Sequence, residues 1–428
     1  MKRKGTLLRW FYEAPLRFTP HLTEHSLLNN FQNRFLLDTV HVIMPSRRRL
    51  VRLCSESLIR VVLSPFVQAA WRPVLLNPEA MPPSGPCFFY GNHSNMLDPF
   101  ILNQFTRWGR ATAGVVTQER MRKGLTAWCF KGMGLLPTQK RITEPHLIRG
   151  IYRLLDEGRP VVIYPEGGQR WDGRPMPWIE ATAKLFIKSG VPVYPVRTHG
   201  SYLGWPRWAS YPRPARIQVE IMPPLTFERR TPLEDALARL KAPIAAYDDA
   251  VAPETTRPRR AFHPAAGIHR LLYRDPDTGE NGGLSTPDGT HVVNPNGTRR
   301  LKMLPDSTLH DEHTGETYRT GDLYAQIRSL PLEKDTDGAF VRNRVALHTE
   351  TAFPNLIPHG IVEAALHDDA VRLNGPIVRR TLPLKTLQYA DIERNYKLQL
   401  RLADEMVQLS FTQDGSALHW LDTLQRLL

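Results

Sequence analysis

Short apolar runs between residues 70 and 230 each stop at a turn or a polar segment, and this pattern strongly constrains the fold. The run Cys87–Tyr90 is followed by Gly91–His93, and the run Val161–Tyr164 is followed by Pro165–Gly168. Segments of helical character separate the runs. Strands that alternate with helices form one layered α/β domain, so the sequence predicts an α/β fold on one mixed sheet flanked by helices. The candidate strands are Pro73–Leu76, Cys87–Tyr90, Ala113–Val116, Val161–Tyr164, Val193–Val196 and Arg216–Ile221.

A histidine and an aspartate stand directly after the second candidate strand. His93 lies at the predicted rim of the sheet, and Asp98 can fold back towards it if the residues between them form a turn or begin a helix. A histidine held by a carboxylate is a general base near neutral pH. The pair therefore predicts a catalytic base, and a purely structural Asx-turn is the alternative.

Three further blocks follow in a fixed order. They are Gly132–Pro137 with the basic pair Lys140 and Arg141, then Pro165–Gly168, then Val191–Pro195. Together with Asn92–Asp98 these blocks make the chain resemble the glycerolipid acyltransferase superfamily, which includes the lysophosphatidate (1-acyl-glycerol-3-phosphate) acyltransferases. The resemblance covers roughly residues 70–225.

The resemblance implies an O-acyltransferase that uses acyl-CoA or acyl-carrier protein as donor and holds no bound cofactor and no metal. His93 would be the general base, with Asp98 fixing its tautomer. A lipid or lysolipid hydroxyl would be the acceptor. Direct attack of that hydroxyl on the thioester is favoured, since no serine or cysteine lies in a recognisable nucleophile elbow. The predicted substrate-binding residues are Asn92, Arg141, Glu166, Gly167, Gly168 and Arg170.

The predicted roles of two of these residues have alternatives. Glu166 would orient an acceptor hydroxyl or an arginine, since a carboxylate does not bind phosphate directly; a helix cap or a turn salt bridge is the alternative. Arg141 would contact phosphate or the coenzyme, with Lys140 as the alternate cation and simple solvation as the alternative.

The block that begins at Pro165 departs from the family pattern. Pro-Glu-Gly-Thr-Arg is usual there, whereas this chain has Gln169 at the arginine position and Arg170 one place later. Phosphate is best bound by a bidentate guanidinium, which Arg170 could supply only in a shifted loop. The substitution predicts an acceptor other than plain lysophosphatidate.

The charge of the chain predicts an anionic partner. Formal net charge is +14, and residues 1–60 carry 11 Lys and Arg against four Asp and Glu. An anionic membrane surface is favoured over nucleic acid, because no nucleic-acid-reading element is visible. Apolar residues from Leu50 to Val62 recur at helical spacing among arginines, which predicts an in-plane amphipathic helix ending near Pro65. An ordinary helix packed on the catalytic domain is the alternative.

The lengths of the apolar runs and the spacing of the cysteines indicate the cellular compartment. No apolar run reaches the roughly 18 residues of a spanning helix. The three cysteines lack metal or disulfide spacing and fit a reducing cytosol. We therefore expect a cytoplasmic protein, peripheral on the inner face of a membrane.

The composition divides the chain into four parts. These are a basic helical lead-in over 1–70, the acyltransferase domain over 70–230, a helix and linker over 231–272, and a β-rich accessory domain over 273–428. Strand-like runs closed by the C-terminal helix 416–428 resemble the pleckstrin-homology-type barrel. Its role would be lipid or protein docking, or purely structural support. A catalytically degenerate lipid-binding or scaffolding protein is accordingly the second functional hypothesis.

Overall fold

The structure is a computed structural model that describes residues 47–428 except 123, 139–143, 251–252, 283, 295 and 413–414. Residues Val51–Leu428 form one compact unit. The boundaries of the four parts stay a prediction.

A seven-stranded mixed sheet organises the first half of this unit. Its strands are β1 (Val74–Leu75), β2 (Cys87–Gly91), β3 (Ala113–Thr117), β4 (Leu135–Thr138), β5 (Pro160–Ile163), β6 (Val193–His199) and β7 (Gln218–Ile221). Their order is β1-β7-β6-β2-β5-β3-β4, and only the β6–β7 pair is antiparallel. The α/β fold on a mixed sheet is therefore confirmed. Strand β4 was not predicted as a strand.

Helices cover both faces of this sheet. They are α1 (Arg47–Trp71), α2 (Asp98–Leu102), α3 (Gly124–Met133), α4 (Pro145–Asp156), α5 (Glu180–Ser189), α6 (Ser201–Gly204), α7 (Leu233–Lys241) and α8 (Pro253–Thr256). Side chains alternate between the faces of a strand. Phe88 and Tyr90 accordingly pack with α4, α5 and α7, whereas Phe89 packs with α1 and α2.

Helix α1 continues through Pro65 to Trp71, so the predicted end near Pro65 is wrong. Proline removes one backbone hydrogen bond from a helix. The residues beyond it compensate, because Val67 and Trp71 are fully buried in the core. The indole Nε1 of Trp71 also lies 3.0 Å from the carbonyl oxygen of Arg213. None of the described helices is long and apolar enough to cross a membrane.

A small antiparallel sheet follows. It contains β8 (His291–Val293), β9 (Arg300–Met303), β10 (Thr308–Asp311) and β11 (Thr317–Arg319), and it lies in the part of the chain that the sequence predicts to be β-rich. Helix α9 (Thr320–Ser329) follows β11 directly. Leu323 and Ile327 are buried one helical turn apart, and this burial stabilises the helix.

The last part is an antiparallel barrel-like sheet. It contains β12 (Val341–Glu350), β13 (Ile357–Leu366), β14 (Ala370–Asn374), β15 (Arg379–Pro383), β16 (Tyr389–Glu393), β17 (Lys397–Arg401) and β18 (Met406–Phe411). Strand β12 pairs with both β13 and β18 and so joins a four-strand and a three-strand meander. Helix α10 (Ala417–Leu427) packs its buried Trp420 into the core of this sheet. This connectivity is of the pleckstrin-homology type, as predicted. Strand β16 was not predicted.

Candidate active site

The end of β2 places His93 beside Asp98. A side chain at Gly91 would put its Cβ 2.4 Å from the carbonyl oxygen of Val196, so the close approach of β6 requires glycine here. The chain then turns, and α2 starts at Asp98. The Nδ1 atom of His93 lies 2.9 Å from the Oδ2 atom of Asp98. The two residues predicted as a catalytic pair are therefore in direct contact.

Asp98 is surrounded by hydrogen-bond donors. Its Oδ2 atom also accepts hydrogen bonds from the backbone N–H groups of Ser94 and Asn95, each at 2.9 Å. Its Oδ1 atom accepts from the Ser201 hydroxyl. The carboxylate is completely buried and surrounded by donors, so it acts as an acceptor and His93 carries its proton on Nδ1. The Nε2 lone pair is then available to take a proton.

Two further contacts hold the His93 ring and backbone. The ring of Tyr164 stacks on the imidazole with centroids 4.2 Å apart and an interplanar angle of 23°. The backbone N–H of Arg170 donates to the carbonyl oxygen of His93 at 2.8 Å. Burial, reinforced by the charge of Asp98, raises the pKa of the Tyr164 hydroxyl well above its usual value. The Tyr164 side chain therefore lines the site in its uncharged form.

Arg170 lies behind the site. Its guanidinium is completely buried and makes a two-pronged contact with Glu166, at 2.9 Å from Nε to Oε2 and 2.5 Å from Nη2 to Oε1. The remaining N–H groups donate to Asp248 at 3.2 Å and to the carbonyl oxygens of Ile244 and Ala246, each at 2.9 Å. Arg170 and Glu166, both predicted to contact substrate, therefore bond each other instead. This geometry favours a positioning role for both residues.

Asp248 is a buried residue that the sequence pattern did not reveal. It accepts hydrogen bonds from the Asn92 side-chain amide at 3.0 Å and from the Ser94 hydroxyl. Asn92 also bonds the backbone of Thr198 on β6, at 3.1 Å to its oxygen and 2.9 Å from its nitrogen. Asn92 thus links the His93–Asp98 turn to β6 and to Asp248. Its predicted contact with substrate stays a prediction.

The remaining predicted residues divide into two groups. Gly167 and Gly168 line the cavity beside His93, as a substrate-binding role requires. Gly167 has a φ of +68°, which disfavours other residues. Arg141 and Lys140 lie outside the described residues, so their predicted phosphate contact stays a prediction.

A cavity of about 720 Å³ opens beside His93. Most of its wall is apolar and comes from α1, α2, α3, α4 and β3, including Leu58, Phe100, Phe130 and Ile148. The polar part of the wall contains His93, Arg120, Gln169, Arg207, Glu393 and Arg394. In the described part of the chain, no group of three or more His, Cys, Asp or Glu side chains is placed to hold a metal ion.

Comparison with known proteins finds acyltransferases. A family model described as Acyltransferase matches residues 73–199. The 1-acyl-sn-glycerol-3-phosphate acyltransferase of Pseudomonas aeruginosa is 25% identical over 192 residues, which is 44% of this chain and 72% of that enzyme. The enzyme of the same name from Limnanthes alba is 28% identical over 144 residues, or 32% of this chain and 49% of the relative.

Two solved structures are similar to parts of the chain. The 1-acyl-sn-glycerophosphate acyltransferase of Thermotoga maritima is 18% identical, covers 50% of this chain and 88% of its own, and has a TM-score of 0.38. The C-terminal PH domain of the human FYVE, RhoGEF and PH domain containing protein 3 is 17% identical. It covers 22% of this chain and 91% of its own, with a TM-score of 0.18.

The family match begins just before β1, ends at the last residue of β6 and includes the whole His93–Asp98 turn. The chain is accordingly an acyltransferase. Its residues 73–199 match the acyltransferase family model, and its curated relatives are glycerolipid acyltransferases, which supports the resemblance that the four sequence blocks predicted.

Proposed function

We propose that the protein transfers a fatty acyl chain from an acyl thioester, acyl-CoA or acyl-carrier protein, to the hydroxyl of a lipid or lysolipid. The observation that carries this proposal is the His93–Asp98 pair, 2.9 Å apart, in the wall of a largely apolar cavity. A volume of about 720 Å³ falls in the usual range for small-molecule sites, about 300–1,000 Å³.

In the proposed mechanism His93 is the general base. Its Nε2 atom removes the proton of the acceptor hydroxyl while the oxygen attacks the thioester carbonyl. The tetrahedral intermediate then expels the thiolate as the C–S bond breaks, and the imidazolium returns the proton to sulfur. Asp98 stabilises the imidazolium through the Nδ1 contact. Ester and free thiol are the products.

The contacts of Ser94 and Ser201 favour direct transfer over an acyl-enzyme. The Ser94 hydroxyl donates to Asp248, and the Ser201 hydroxyl donates to Asp98. Both hydroxyls are fully buried. A serine nucleophile must donate its proton to the base, and neither serine is hydrogen-bonded to His93.

The apolar wall would hold the acyl chain. Leu58, Ile59 and Leu63 of α1 line the cavity together with side chains from α3 and α4. Burying each CH₂ of an acyl chain there would contribute about 0.8 kcal/mol, so a long chain would supply most of the binding free energy.

Exposed apolar side chains near this cavity support membrane association. Val61 and Val62 on α1, and Leu125 and Trp128 on α3, are all exposed. Val62 and Leu125 also line the cavity. Membrane lipid could enter the site where such residues meet the bilayer. We therefore propose a peripheral enzyme on the anionic inner face of a membrane.

Thiol release tests this proposal. Long-chain acyl-CoA and acyl-carrier protein are offered with a panel of lysolipids to the wild type, to His93→Ala and to His313→Ala. His313 is an exposed residue in the turn between β10 and β11 and serves as the matched control. We expect acceptor-dependent release that is lost in His93→Ala and kept in His313→Ala.

Other outcomes point elsewhere. A folded protein that binds liposomes but releases no thiol with any acceptor would favour the scaffolding hypothesis. Because Gln169 replaces the usual arginine, we expect lysophosphatidate not to be the best acceptor in the panel. The highest kcat/KM for lysophosphatidate would contradict that expectation.

A further inference from the structure

The C-terminal barrel contributes part of the active-site wall. The turn 394–396 connects β16 to β17, and Arg394, with Ile392 and Glu393 before it, lines the same cavity as His93. These residues lie about 300 positions from His93 in the chain. The cavity is therefore a composite of the acyltransferase sheet and the barrel.

The Arg207 side chain donates hydrogen bonds both to the barrel turn and to Gln169, next to Arg170 in the chain. Its Nε atom donates to the carbonyl oxygen of Arg394 at 3.0 Å and its Nη2 atom to that of Ile392 at 2.7 Å. Its Nη1 atom donates to the carbonyl oxygen of Gln169 at 3.0 Å. The side-chain amide of Asn395 donates in return to the carbonyl oxygen of Arg207 at 3.0 Å. One buried guanidinium thus joins residue 169 directly to the barrel.

Arg394 is held in an unfavourable backbone conformation. Its φ is 61°, in the left-handed region that arginine rarely adopts. Its side chain is exposed and lies in the cavity wall. Within the described residues, no carboxylate lies within ion-pair distance of its guanidinium. An unpaired cation is therefore held in the polar part of the site.

A second cation stands nearby. Arg120 lines the same cavity, and its Nε atom lies 3.3 Å from Oε1 of Glu393, next to Arg394 in the chain. The neighbouring Arg122 makes a two-pronged pair with Glu350 of the barrel, at 2.7 and 3.0 Å. These pairs fix the barrel against the segment that carries Arg120.

We propose that the barrel turn completes the acceptor site, and that Arg394 with Arg120 binds the phosphate of the lysolipid headgroup. This inference rests on the proposed acyl transfer. It assigns to the barrel the phosphate contact that Gln169 does not make, and it gives the accessory domain a role in specificity. Guanidinium groups bind phosphate through strong charge-assisted hydrogen bonds.

The test measures KM for two acceptors and for the donor by steady-state kinetics. The acceptors are lysophosphatidylglycerol, which carries a phosphate, and monoacylglycerol, which does not; the donor is long-chain acyl-CoA. The variants are Arg394→Gln, which keeps a side chain with the same backbone strain, Arg394→Lys and Arg120→Gln. Arg379→Gln is the matched control, since Arg379 is exposed on β15, at the opposite end of the strand order from β16.

We expect Arg394→Gln to raise KM for lysophosphatidylglycerol roughly 10- to 100-fold, the effect of one charge-assisted hydrogen bond. KM for monoacylglycerol and for acyl-CoA should not change. Arg394→Lys should recover part of the loss, Arg120→Gln should act in the same direction, and Arg379→Gln should match the wild type.

Three results would overturn the inference. They are an unchanged KM for lysophosphatidylglycerol in Arg394→Gln, an increase in KM for acyl-CoA instead, and a wild type that accepts only monoacylglycerol. A wild type that transfers to neither acceptor from acyl-CoA or from acyl-carrier protein would instead refute the proposed function.

Discussion

Replacing Asp98 with asparagine tests the chemistry of the pair most directly. The Oδ2 position accepts from His93 Nδ1 and from the backbone N–H groups of Ser94 and Asn95. Two fixed N–H donors require an oxygen there, so the amide oxygen of Asp98→Asn should face His93 and its NH₂ should face the Ser201 hydroxyl. The variant therefore keeps the tautomer and loses only the negative charge.

The loss can be estimated from the geometry. Two charges about 4 Å apart at an effective dielectric constant of about 20 interact by about 4 kcal/mol. If the carboxylate stabilises an imidazolium that exists only in the transition state, kcat should fall roughly 10³-fold while KM stays constant. The assay is initial-rate thiol release with saturating acyl-CoA and acceptor.

Two comparisons decide the outcome. Asp404→Asn, at an exposed position, is the control for a charge lost elsewhere. The double variant His93→Ala/Asp98→Asn should be no slower than His93→Ala alone, because Asp98 acts only through His93. A fall of less than about tenfold in Asp98→Asn, or additive losses in the double variant, would refute this reasoning.

Three further predictions concern residues around the site and in the barrel. Arg170→Gln leaves two buried carboxylates without their counter-charge and should lower the free energy of unfolding by about 3–5 kcal/mol; a raised acceptor KM with an unchanged urea midpoint would contradict this positioning role. Gly167→Ala should cost about 1–2 kcal/mol in the same urea assay and lower kcat, because φ is +68° and the new Cβ would lie 2.5 Å from Cδ1 of Ile179; wild-type values for both would contradict it. Burial lowers the pKa of His419 to about 3, so the unfolded chain binds a proton that the folded chain does not as the pH falls below about 6.5. Wild-type stability should therefore drop by about 2–3 kcal/mol by pH 4.5, and urea midpoints from pH 7 to 4.5 should fall less in His419→Phe; parallel curves would contradict the assignment.

Contacts between near neighbours were predictable from the sequence. The apolar run Cys87–Tyr90 can bury both faces only as an inner strand. His93 and Asp98 are five residues apart, so a single turn brings them together whatever the remainder of the chain does. For the same reason the mixed sheet, the closing helix α10 and the catalytic pair were all predicted from residue order.

Local patterns were misleading where burial elsewhere outweighed them. Pro65 is a helix breaker by local chemistry, yet α1 continues because Val67 and Trp71 gain a fully buried position in the core. Strand β16 was missed because Asp391 and Glu393 are poor strand formers. It forms because β17 supplies a hydrogen-bonding partner along its whole length.

Order and local pattern in the sequence therefore predicted the α/β class, the resemblance to the acyltransferases and the contact between His93 and Asp98. The residues that surround them depend on tertiary contacts. Asp248 reaches Arg170 across 78 positions, and Arg207 meets Arg394 across 187. Such contacts follow from how separate elements pack, and no local pattern encodes them. For this reason the buried ion pairs of Arg170, and the part that the barrel takes in the cavity wall, could not be predicted from the sequence.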